Sequence, residues 1–178
     1  MKKSILLVLL VAFLATAVCI SGCLGNDTPD TPETPTEFGA NLVTIDPVPA
    51  GFELLAVRDT TADKIGGITD ELPGHNAAYL YNGSPNNGVY LNAFQCANST
   101  AAAGYVQQMI DAHKAAYPNT QNVTTVKINN HDVTLLTVIG STGDEKYELA
   151  WTNSDILVVV NGPAGYDYMK QIAEASKL

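Results

Sequence analysis

The chain predicts an α+β fold, an antiparallel sheet with two helices packed on one face. Three observations carry that expectation. From residue 52 onward, apolar stretches of strand length recur between short clusters of Gly, Asn, Asp and Ser. Two stretches have helical spacing instead, one mid-region and one at the C-terminus. The resulting order, strands then helix, strands then helix, suits hairpin-linked strands with helices laid over them.

Residues 52–58 (FELLAVR) read as the first strand, entered through the turn cluster Pro47, Pro49 and Gly51. Residues 60–74 are polar and glycine-rich and read as an irregular excursion. Residues 76–81 and 89–94 are two strands joined by a hairpin loop over residues 82–88 (NGSPNNG), which is dense in turn formers. Ser99 or Thr100 then caps a helix, in which Val106, Met109, Ile110 and His113 fall at helical spacing and which Pro118 stops. The second half repeats the plan. Strands are expected at residues 123–128, 133–139, 146–151 and 156–160, with Asn129-Asn130 suited to a tight turn at positive φ. The last strand is unbroken in its apolar character and should be central, covered on both faces. Asn161-Gly162-Pro163 opens the terminal helix, whose buried stripe is Met169, Ile172 and Ala173. Ala-Gly-Tyr begins both helical stretches, at Ala103 and at Ala164, a hint of a duplicated strand-strand-helix unit about a pseudo-twofold axis.

The N-terminal part belongs to targeting, not to the fold. Two lysines precede a 16-residue apolar run, residues 5–20, followed by Ser21, Gly22 and Cys23. A positive start, an apolar middle and small residues at the end make a signal peptide. The run is slightly short for a membrane-spanning helix, which needs about 20 apolar residues. Residues 26–37 (NDTPDTPETPTE) offer no large apolar side chain and cannot offset the entropy of ordering, so they read as an extended spacer. The expected organisation is a signal peptide at 1–22, a lipidated Cys23 with a Thr/Pro-rich stalk to 39, and one globular domain at 40–178.

The tetrapeptide Ile20-Ser21-Gly22-Cys23, in this position, resembles the lipobox of prokaryotic lipoproteins. With the Thr/Pro stalk and the sequons at Asn26, Asn82, Asn98 and Asn122, the chain looks like an archaeal cell-surface lipoprotein. The resemblance implies that Cys23 carries a lipid, that the mature chain begins there, and that the domain stands outside the cytoplasm on a membrane. The competing expectation is an uncleaved apolar anchor reaching to about residue 24, which leaves the domain on the same side.

Composition narrows the partners. From Ala40 onward there are 14 acidic against 7 basic residues, an excess that disfavours nucleic acid and anionic lipid headgroups. Cys96 is the one cysteine after Cys23, so the mature chain forms no internal disulfide; it is either a small buried hydrophobe or a reactive thiol. His75, His113 and His131 match no zinc spacing, and no metal or cofactor is expected. Gly140-Ser141-Thr142-Gly143 lacks the strand-to-helix context of a nucleophile elbow, and Ile65-Gly66-Gly67-Ile68 lacks the lysine and helix of a phosphate loop. The candidate ligand site is the hairpin carrying Tyr79, Tyr81, Asn86, Asn87, Tyr90 and Asn92, where rings give area and amides give orientation, as for sugars or peptides. A plain hairpin with turn-forming asparagines accounts for the same residues. Trp151 reads as core. The expectation is therefore a non-catalytic binding or envelope-associated module, with a surface protein or glycan as partner. Two alternatives are a substrate-capturing accessory of a membrane transporter and a cell-surface enzyme.

Overall fold

The computed structural model describes residues 38–119 and 121–178. The expected signal peptide and lipobox, Cys23, Asn26 and the expected stalk as far as residue 37 lie outside the described residues. Within them the elements run β1 (Phe52–Thr61), β2 (Pro73–Tyr81), β3 (Ser84–Gln95), α1 (Ser99–Ala116), β4 (Gln121–Ile128), β5 (His131–Ile139), β6 (Glu145–Asn153), β7 (Ile156–Asn161) and α2 (Tyr166–Ala175). The strands form one sheet in the order β1-β2-β3-β7-β6-β5-β4, with every neighbouring pair antiparallel. The α+β class and the antiparallel sheet are as expected. The chain already packs against the domain at Phe38, whose ring stacks on His75 with centroids 5.1 Å apart.

The two helices do not share a face. Side chains alternate sides along a strand, so β7 presents Ile156, Val158 and Val160 to one side and Leu157 and Val159 to the other. The first set packs with Leu91, Ala93, Leu149 and Trp151 beneath Met169, Ile172 and Ala173 of α2. The second packs with Phe94, Leu136 and Ala150 beneath Ala102 and Met109 of α1. The reason is hydrophobic: with both helices on one side, Leu157 and Val159 would face water, forfeiting roughly 1.5–3 kcal/mol for each side chain left exposed. This layering also rules out the pseudo-twofold. An axis that exchanges the adjacent antiparallel strands β3 and β7 must stand normal to the sheet, and it would return both helices to the same side. The repeated tripeptides are not equivalent either. Ala103 is exposed within α1, whereas Ala164 is buried ahead of α2 and Gly165 is its N-cap.

Several local expectations shift. The hairpin between β2 and β3 turns on Asn82-Gly83 alone, both at positive φ (49° and 64°), as a two-residue turn requires. Residues 85–87 lie on β3 as an irregularity in its pairing with β2, not in an open loop. The α1 cap is Asn98, whose Oδ1 accepts from Ala101 N at 2.8 Å. Helix α2 begins after Pro163, because Gly162 and Ala164 are held against β3, the latter through Ala164 N to Gly88 O at 3.2 Å. The Asn129-Asn130 turn has the expected positive φ at both residues (47° and 69°). It also tethers α2, with Asn129 Nδ2 donating to Glu174 O at 2.7 Å.

Candidate functional site

The six hairpin residues are divided by strand parity. Tyr79 pairs with Val89 and shares the α2 face with it, whereas Tyr90 pairs with Asn161 and Asn92 with Val159 on the α1 face. Tyr79 is fully buried; its hydroxyl donates to Val43 O at 2.6 Å and accepts from Ile45 N at 2.9 Å. Burial pushes its phenol pKa up. Tyr81 lies against Tyr168 and Phe52. Asn92 is buried, accepting from Asn76 Nδ2 at 2.8 Å and donating to Val159 O at 3.1 Å. Asn86 is exposed and Asn87 half-buried beside the turn. These residues therefore form no single surface, and Tyr79 and Asn92 belong to the interior. Asn82, Asn98 and Asn122 are exposed. Cys96 is buried, with its Sγ 3.8 Å from Phe94 O, and burial raises its pKa; this is the setting of a packed thiol. Trp151 is in the core. Among the described residues no group of three or more His, Cys, Asp or Glu is placed to hold a metal ion.

The chemistry-bearing cleft lies on the α1 face and has Glu148 at its centre. Cross-strand register builds its floor. Tyr90 lies opposite Asn161 on β3 and β7, and Leu136 lies opposite Glu148 on β5 and β6. Asn161 Nδ2 joins the two halves by donating to Glu148 Oε1 at 3.3 Å. The last turn of α1 supplies a wall. His113 Nε2 lies 3.1 Å from Thr137 O, to which it donates, and its ring tilts against Tyr117. Two recesses meet here, of about 370 Å³ and about 300 Å³, and share His113, Tyr117 and Glu148. Gly66 and Gly67 close the smaller one at positive φ (44° and 87°). A Cβ on Gly67 would fall 2.3 Å from Ala112 Cβ, so only glycine brings this loop so close to α1. A third recess of about 530 Å³ opens beside Tyr147, Tyr166 and Tyr168, but its acid, Asp167, is exposed. Volume alone therefore does not mark the site; the half-buried carboxylate does.

Burial holds the Glu148 carboxyl above the ordinary carboxylate range, and the Asn161 bond only partly opposes it. The folded state thus binds this proton more readily than the unfolded chain does. The group's contribution to stability is best at pH below the ordinary carboxylate value and falls as pH rises through that value towards the raised one. Glu148→Gln is accordingly expected to stabilise the protein at neutral pH by on the order of 1 kcal/mol. Urea unfolding should show the gain shrinking at about pH 4 and below, where the unfolded carboxyl is also protonated. Equal stability of the two proteins at both pH values would mean that the carboxylate is well solvated.

Sequence reasoning missed Glu148, Asn161 and Tyr117. One signal was available: Glu148 alternates with Tyr147 and Leu149 on a strand beside β7, whose residues 156–160 are all apolar, so an acid there had to face a covered layer. Comparison with family models, with curated proteins and with solved structures gives no match for this chain.

Proposed function

We propose that the chain is a lipid-anchored extracytoplasmic lipoprotein whose domain is a non-catalytic module binding a small ligand in the Glu148 cleft. The cleft carries the binding part of this reading. It combines a half-buried carboxylate, an amide and two partly exposed tyrosine rings within a concave space. Binding is favoured over catalysis because the hydrogen-bond partner of Glu148 is the amide of Asn161, which does not titrate, while His113 is committed to the Thr137 carbonyl. The anchoring part rests on Ile20-Ser21-Gly22-Cys23 behind the apolar run. The stalk would lift the domain roughly 35 Å from the lipid if its dozen residues are extended at about 3.1 Å each. Capture of substrate for a membrane transporter is a second role that the same cleft would serve.

Two measurements test the two parts separately. Cys23→Ser is expected to leave an unprocessed precursor or to release the protein from the membrane; a membrane-bound variant with the processing and mass of the wild type, apart from the substitution, would refute lipid attachment. For the cleft, thermal unfolding of the full chain in detergent is followed across sugars, short peptides, small amines and metal salts. A ligand at a hundred times its dissociation constant should stabilise the protein by about 2.7 kcal/mol, and Tyr90→Ala should abolish the shift. A shift that survives both Tyr90→Ala and Glu148→Gln would place the binding site elsewhere.

A further inference from the structure

The electrostatics of the cleft select among small ligands. Among the described side chains no lysine or arginine pairs with Glu148, and its Oε1 receives one long bond from a neutral amide. An ionised carboxylate with so few donors is costly to keep out of water until a cation or further donors arrive. The flanking surfaces suit the first solution. Tyr90 and Tyr117 line the same recess and are 38% and 44% exposed. Large hydrophobic rings left open beside a carboxylate offer π faces that attract cations. An anion would meet Glu148 directly. A neutral sugar would hydrogen-bond to Asn161 and to the Glu148 carboxylate but would leave the carboxylate's charge uncompensated. Lys146 also lines the recess, but its side chain is exposed, so solvent screens its repulsion of a bound cation.

We infer that the cleft takes a small organic ammonium ion, its nitrogen seated against the Glu148 carboxylate and its carbon substituents against the Tyr90 and Tyr117 rings. This inference rests on the reading of the cleft as a small-ligand site, and it names the chemical class. A quaternary head uses the rings most fully, whereas a primary ammonium also donates hydrogen bonds to the carboxylate.

Isothermal titration of the full chain in detergent tests it with three probes: choline, ethanolamine and 3,3-dimethylbutan-1-ol, the neutral isostere of choline. At least one cation should bind, and the neutral alcohol should bind roughly tenfold or more weakly, the scale of one desolvated cation–π contact. Glu148→Gln should weaken the cation by a similar factor while unfolding at the same or a higher temperature, so that lost binding is not lost folding. Tyr117→Phe should retain binding and Tyr117→Ala should lose several-fold. Equal binding of the alcohol, or unchanged cation binding by Glu148→Gln, overturns the ammonium and leaves a neutral-ligand cleft standing. Absence of binding by all three probes also overturns it, and the cleft reading is then decided by the sugar and peptide arms of the wider panel.

Discussion

Gly162→Ala is expected to cost about 3 kcal/mol of folding stability, combining roughly 1–3 kcal/mol for a strained backbone with a similar amount for overpacking. Gly162 has φ +135°, a conformation that side chains rarely adopt. A Cβ there would lie 2.4 Å from Gly88 O and 3.3 Å from Tyr90 Cδ2. The first neighbour is backbone in β3 and already accepts from Ala164 N, so it cannot swing aside. Relief requires the β7–α2 link to move away from β3. That breaks the Ala164 bond, withdraws Ala164 from the core and displaces the start of α2. Because Gly162 and Tyr90 both line the cleft, ligand binding should fall with stability. Urea unfolding measures the loss, and a value below about 1 kcal/mol would contradict so close a backbone approach.

Tyr79→Phe is the second large effect. The ring stays, so packing is nearly unchanged, but the hydroxyl bridging Val43 O and Ile45 N is removed. Both residues are buried, at 0% and 4% exposure, so the abandoned carbonyl and amide cannot turn to water. Each unsatisfied buried group costs about 1–3 kcal/mol, which sets the expected loss at about 3 kcal/mol. Hydrogen exchange gives the local signature: the Ile45 amide should lose protection selectively, since the bridge fastens the segment before β1 to the face of β2. A variant within 0.5 kcal/mol of wild type and with Ile45 still protected would show that other contacts hold that segment.

What was legible in the chain was mostly local or periodic. The run at 156–160 required a strand covered on both sides, and those five residues of β7 are all buried. That same run spoke against placing both helices on one face, an expectation drawn from element order instead of side-chain parity. Asn129-Asn130 was readable because its turn depends on two adjacent residues. The Asn82-Gly83 turn reads in the sequence as part of a longer loop, because the irregularity after it arises from pairing with β2. Of the hairpin candidates only Tyr90 lines the cleft, since a one-residue offset sends Tyr79 to the opposite side. The cleft itself escaped because it is assembled across the chain, from the 66–67 loop, the end of α1, and strands brought together by the sheet. Parity gives the face on which Glu148 lies, but not which helix end lies over it.

The strand order has a kinetic consequence. Every neighbouring pair in the sheet is also consecutive in the chain, except β3 with β7. Two meanders can therefore zip locally, whereas their junction waits on closure of the long segment from Gln95 to Ile156, and that closure is expected to be the slow step of folding. Until it occurs, β7 is an unpaired edge made of the most continuously apolar strand in the domain. The half-assembled chain is then most exposed to association with its own copies.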